Sequence, residues 1–327
     1  LWFRLSVSAR TMAEEHTDPD FDDEVLFAKH TQLVGPDLLE DVLCILAKQN
    51  EDAVQTPGEY LDYLAPSSTV ELVFQTCAEL QMPLCVQFTA VEYLDRFLVQ
   101  HVRDLRRQLG LPTSIRSAKS SGGVGWDTVM TRLRDQVPLR MLSCIQIASK
   151  MFSSIKGVTG VEVRDVLRGI GDMYTCNSIL QSELRVLNTL NFRLKLPTPL
   201  VIAEVLLDVI GHNEPSFDPK DLYPVVLRIL QGYYLVRQEV HERAVSFLVV
   251  DSAASESAKH RLIRAFWADQ LLLASALVAA AVRLRYPRKY KQFIGFLQAI
   301  TRLSPKEVDS YSGVILNVLF NDDSMET

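Results

Sequence analysis

Ala90-Val-Glu-Tyr-Leu-Asp-Arg-Phe-Leu98 and Leu139-Arg-Met-Leu-Ser-Cys-Ile-Gln-Ile-Ala-Ser-Lys150 are the stretches on which the fold turns. Around the first, Val86, Ala90, Val91, Leu94, Phe97 and Leu98 recur at spacings of three and four, one face of a helix over 84–109 that stops at Gly110 before Pro112. The second opens the longest proline-free part of the chain's first half, between Pro138 and Pro197. Three helical patterns fit there, 139–152, 161–170 and 177–190, with Gly157, Gly160 and Gly171 in the loops between them.

Working outward, Ser68 with Glu71 three residues on reads as a capping box opening a helix with Val70, Leu72, Val73, Phe74 and Leu80, closed by Pro83. A first amphipathic helix carries Leu38, Leu39, Val42, Leu43, Ile45 and Leu46. On the other side, Pro197-Thr198-Pro199 reads as a hinge, with Thr198 an N-cap and Pro199 at the first helical position. Further helical patterns follow at 200–210 ending at Gly211, at 219–241 after Asp218, and at 262–285, 290–300 and 305–319, the last opened by Ser304, Pro305 and Glu307. No sustained period-2 run occurs, so the expectation is an all-α protein of two consecutive helical bundles of about five helices each, divergent copies of one plan. The bundles are expected at 38–197, with an insertion at about 110–137, and at 198–320. Residues 321–327 form a tail. Residues 1–37 are read as a disordered arm, because 13–24 holds seven carboxylates and no Lys or Arg. Residues 110–128, with Ser120, Ser121, Gly122, Gly123 and Gly125, read as a flexible loop. Residues 1–11 lack a signal-peptide pattern and are set aside, with Met12 the expected start.

The chain has 327 residues, 48% hydrophobic, and 40 Asp plus Glu against 34 Lys plus Arg; the net charge of −6 disfavours a surface built wholly for nucleic acid or anionic lipid. Five cysteines with no C-x-x-C pair suggest neither a disulfide framework nor a zinc cluster and fit a reducing compartment. The apolar stretch 270–282 is shorter than the ~20 residues a bilayer span needs and reads as a buried core helix. P-loop, dinucleotide-binding, nucleophile-elbow and H-E-x-x-H motifs are absent, so a non-enzymatic protein without cofactor or metal is expected. The six histidines have no paired ligand spacing and are assigned to the surface or to helix ends. Arg103, Arg106, Arg107, Arg116 and Lys119, with Arg132, Arg134 and Arg140, flank the glycine-serine loop and form a candidate partner-binding basic patch. Arg283, Arg285, Arg288, Lys289 and Lys291 follow a buried helix, where the helix dipole accounts for them.

The first quoted stretch resembles the A-V-N-Y-I-D-R-F-L signature of the second helix of the cyclin box, and the second resembles the third helix, which ends in A-S-K. Ser182-Glu-Leu-Arg-Val-Leu-Asn-Thr-Leu-Asn-Phe192, followed by Leu196-Pro-Thr-Pro199, looks like the fifth helix and the exit to a second cyclin-like fold. The motifs cover about residues 65–200. The long insertion and the run Leu190-Asn-Phe-Arg-Leu-Lys-Leu-Pro-Thr-Pro199 narrow the resemblance to the cyclin N-terminal domain-containing protein 1 family, cyclin-like proteins of meiotic crossover maturation.

That resemblance implies a nuclear protein at recombination sites on meiotic chromosomes, with a cytoplasmic pool also allowed. The implied partners are a cyclin-dependent kinase and meiotic recombination proteins, with no membrane and no sequence-specific DNA binding. Lys150 falls where cyclins place the lysine that meets the kinase, Glu183 falls where they place its acidic partner, and Phe152 and Leu187 are nearby apolar candidates. Asp95 and Leu139 match structural positions of the box. The arginine that usually pairs with the aspartate is matched by Pro66, which leaves Asp95 to find another partner. The hydrophobic substrate-docking motif is replaced by Ala65-Pro-Ser-Ser-Thr69 and Leu72, and the acidic pair after A-S-K by residues around Phe152, Ser153 and Ser154. Two other readings stay open, a kinase-independent scaffold for crossover proteins and a nucleic-acid binder resembling transcription factor B proteins.

Overall fold

The computed structural model describes residues 35–55, 65–110, 124–152, 156–195, 197–249 and 256–320. Among these residues there are thirteen α-helices and no strand. The first seven are α1 (Pro36–Gln55), α2 (Ser67–Glu79), α3 (Leu84–Gln108), α4 (Val124–Asp135), α5 (Val137–Met151), α6 (Gly160–Gly169) and α7 (Cys176–Thr189). The remaining six are α8 (Pro199–Asn213), α9 (Pro219–Val249), α10 (Glu256–Ala268), α11 (Gln270–Arg285), α12 (Tyr290–Thr301) and α13 (Pro305–Phe320). The all-α expectation therefore stands.

Two helices are buried on every side, and each is the axis of a bundle. Every residue of α5 from Leu139 to Ser149 is buried, as is every residue of α11 from Leu271 to Val282. Around α5 pack α2, α3, α6 and α7; around α11 pack α8, α9, α12 and α13. The partners repeat in chain order, with α4 and α10 both inserted just before the axial helix. α2 shows why such helices form and dock: Val70, Val73, Phe74 and Cys77 lie on one face and are buried, each large apolar side chain contributing about 1.5–3 kcal/mol. The helix α1 packs on α8, α10 and α11 of the second set. Asn50 of α1 explains this docking, since its Oδ1 accepts the N–H groups of Gln270 and Leu271 at 2.8 and 3.1 Å. These are two of the donors that an α-helix start leaves unpaired.

Several expected boundaries move. Residues 124–128, expected in the loop, belong to α4. The pattern over 262–285 is two helices bent by 60°, because Asp269 leaves the helix and caps α11 by accepting from Leu272 N at 2.8 Å. α2 starts at Ser67 after an extended Pro66 with no side-chain cap, so Ser68 and Glu71 make no capping box. The box that forms is Thr159 with Glu162, opening α6. Pro83 opens α3 rather than closing α2, which ends at Glu79. α8 runs through Gly211, whose role is close approach: a Cβ there would lie 2.6 Å from the Pro219 ring. Thr198 caps α8 through Val201 N, with Pro199 at its start, as expected. Residues 1–34, which hold most of the acidic arm, and 321–327 lie outside the described residues. No single helix among the described residues is long and apolar enough to cross a membrane.

Candidate functional site

Lys150 stands in the last turn of α5, where a cation complements the helix dipole. The chain returns against it: Val158 N donates to Ser149 Oγ at 2.8 Å, and Gly157 sits so close that a Cβ would lie 3.2 Å from Lys150 Cγ. Held this way, the Lys150 ammonium donates to Glu183 Oε1 of α7 at 2.5 Å. The acid is 12% exposed and the lysine 48%. An ammonium has three N–H groups, and Glu183 is its only hydrogen-bond partner among the described residues. The pair therefore presents a fixed donor to solvent.

The two faces of α7 explain what surrounds this donor. Ile179, Ser182 and Val186 point into the bundle. On the neighbouring face, Leu180 and Leu184 are 51% and 39% exposed, and Leu187 is half-buried against the core. Leu180, Glu183, Leu184 and Leu187 follow the i, i+3, i+4, i+7 spacing of one helix face. Past the helix end, Phe192 is 61% exposed. It and Asn191 hold left-handed φ values of 57° and 52°, a conformation costing about 1–2 kcal/mol for a residue with a Cβ. Phe152 ends α5 half-buried against the core.

Asp95, on α3, is buried and carries a different function. Arg237 of α9 donates from Nη1 to Asp95 Oδ2 at 2.5 Å, and from Nη2 to Asp95 Oδ1 and to the Ala65 carbonyl, each at 2.9 Å. Ala65 N donates to Asp95 Oδ1 at 2.6 Å. The aspartate that lost its partner at Pro66 has thus found one 142 residues later, in the other bundle. Burial works against the Arg237 charge, and Asp95 more than restores it. Beside this pair, Tyr234 donates to Glu92 at 2.6 Å; burial first, then Asp95, raises the Glu92 carboxyl above its ordinary range. Leu139 is buried at the head of the α5 core.

The basic patch does not assemble from the described residues. Arg106 is buried with its guanidinium 5.2 Å from the Trp126 ring of α4. Arg140 is buried against Ser182 Oγ at 2.7 Å and Gln136 at 3.0 Å. Helix packing took both because a long guanidinium stem can cover apolar surface. Arg107 is exposed and paired with Asp104 at 3.3 Å, and Arg103 is half-buried. Arg116 and Lys119 lie outside the described residues. His241 also departs from the surface role expected of it: it is buried, 2.8 Å from the Tyr233 hydroxyl and stacked on Trp267. Burial, then Arg237, pushes its imidazole down to about 3. No group of three or more His, Cys, Asp or Glu side chains among the described residues is placed to hold a metal ion.

No family model matches the chain. Over 284 residues, 87% of its length, it is 30% identical to Cyclin N-terminal domain-containing protein 1 of Homo sapiens, of which 85% is covered. The mouse protein of the same name, from Mus musculus, matches at the same identity over 84% of its length. The chain belongs to the cyclin N-terminal domain-containing protein 1 family.

Membership makes this a cyclin-domain protein, of a kind that is generally regulatory rather than catalytic and works through protein–protein contacts. The structure brings Lys150 and Glu183 together, places Phe152 and Leu187 half-buried beside them, and leaves Asp95 and Leu139 in the interior. Reading the sequence alone missed Leu180, Leu184 and Phe192 as exposed apolar groups. The signal was present: 179–187 carries more apolar residues than one helix face can bury. Nothing comparable flagged Arg237, one of three arginines on a long helix.

Proposed function

We propose that the chain is a non-enzymatic regulatory protein that docks a cyclin-dependent kinase on the α5–α7 edge of its first bundle and brings it to recombination proteins during meiotic crossover maturation in the nucleus. One observation carries the kinase part: a lysine fixed by a mostly buried glutamate, set beside an exposed apolar strip. An exposed strip of this kind on a helix suits another helix laid along it, with Leu180, Leu184 and Leu187 as anchors. The Lys150 N–H groups not used by Glu183 suit carbonyl oxygens at such a helix's end. Binding that favours one position of a mobile kinase helix shifts the kinase toward it, by as much as the two positions differ in affinity. The meiotic and nuclear part rests on the family resemblance set out above.

The test is a pull-down from meiotic tissue with the intact chain beside a Lys150→Glu, Glu183→Lys variant, bound proteins being identified and kinase activity assayed on the beads. Loss of a cyclin-dependent kinase from the variant is expected. Kinase bound equally by both forms would overturn the site. Recombination proteins without kinase on either form would make the fold a kinase-independent scaffold.

A further inference from the structure

A cleft of about 410 Å³ opens between the two bundles, a size typical of small-ligand sites. It lies apart from Lys150 and Glu183, which do not line it. The linker after α7 forms one lip, and two side chains of α3 pin its backbone: Tyr93 donates to the Leu194 carbonyl at 3.1 Å, and Arg96 to the Arg193 carbonyl at 2.7 Å. Arg193 and Lys195, both exposed and both lining the cleft, are thereby held at its mouth. Neither forms an ion pair among the described residues, while the acids in the cleft are occupied. Asp95 is taken by Arg237 and Ala65 N, Glu92 accepts the Tyr234 hydroxyl, and Asp52 has a partner of its own.

Thr198 and Gln270, at the starts of α8 and α11, also line the cleft. Helix starts carry about half a positive charge, which favours anions nearby, although Thr198 already accepts the Val201 N–H of α8 and Asp269 the Leu272 N–H of α11. The amide oxygen of Asn50 already occupies the start of α11, which shows what that end draws in. His241, which also lines the cleft, is buried with no hydrogen-bond partner at Nδ1 among the described residues. We infer that this cleft binds a phosphomonoester anion, held by Arg193 and Lys195 at the mouth. Its volume of about 410 Å³ has room for a phosphorylated side chain of a partner protein, and the same chemistry would admit a small free phosphate. A lip fixed before binding loses little freedom when the ligand arrives.

Calorimetric titration of the full chain tests this with four probes: inorganic phosphate, adenosine monophosphate, and a phosphoserine peptide pool of randomised flanks with its unphosphorylated twin. The phosphorylated pool binds and its twin does not, binding weakens as salt rises, and Arg193→Glu with Lys195→Glu weakens it about tenfold or more. Both positions are exposed, and circular dichroism checks that the variant is folded. Phosphopeptide bound far more tightly than the small phosphates identifies a phosphoprotein as the source; equal binding identifies a free phosphate. Heat from none of the phosphate probes, or undiminished binding by the double variant, overturns the proposal. Lys150→Glu keeps phosphate binding in full, which separates this site from the kinase edge.

Discussion

The two bundles carry the same device at the same place and finish it differently. In each, the cation that ends the buried axial helix reaches an acid on the last helix: Lys150 to Glu183 in the first, Arg283 to Asp309 in the second. Around Arg283 the structure closes. Its guanidinium lies 4.4 Å over the Tyr290 ring, and Tyr290 itself donates to Asp309 at 2.8 Å and meets Ser312 at 3.1 Å. Around Lys150 it stays open, with one carboxylate partner and leucines facing solvent. An ion pair ties two helices together in each bundle, and the one at Lys150 has exposed leucines beside it, which is why the docking proposal is placed there.

Substitution tests this difference, and the largest effect is expected where the bundles meet. Arg237→Met strands Asp95 in the interior, so denaturant unfolding should show a loss of about 3–5 kcal/mol. An unchanged midpoint would mean that the seam is held elsewhere. Next in size is an acid effect at His241. Its unfolded value is near 6.5 and its folded value about 3, so below pH 6.5 the unfolded chain binds a proton that the folded chain refuses. Stability therefore falls as the pH falls from 6.5 toward 3. Relative to His241→Gln, the wild type should lose about 1.4 kcal/mol per pH unit over that window, a slope that pH-dependent unfolding curves would reveal or refute.

Smaller effects separate the two ion pairs themselves. Arg283→Ala removes a half-exposed pair and a ring contact, a loss of about 1 kcal/mol by thermal or chemical melting. Leu184→Glu, on the open face, should change stability by no more than about 0.5 kcal/mol and yet abolish kinase capture. A large destabilisation by Leu184→Glu would show that this face is core.

Much of this was readable in the residues because apolar spacing and proline and glycine positions report local helices directly. The two axial helices, the Thr198 start of α8 and the Lys150 with Glu183 pairing all follow from pattern and resemblance. What escaped depends on contacts distant in sequence. Asp269 breaks a continuous helical pattern because Asn50, 219 residues earlier, donates to it and completes the α11 start. Arg106 and Arg140 read as surface charge, since a side chain's type does not say which neighbouring helix covers it. Arg237 could be assigned to Asp95 only once the two bundles were placed side by side.

The most direct test of the account compares charge reversal at the two equivalent positions. Purified wild type, Lys150→Glu and Arg283→Glu would be measured for affinity against a panel of cyclin-dependent kinases, each protein first confirmed as folded. Lys150→Glu is expected to lose the kinase while Arg283→Glu, though less stable, binds as the wild type does. Binding retained by Lys150→Glu, or lost by a folded Arg283→Glu, would contradict it.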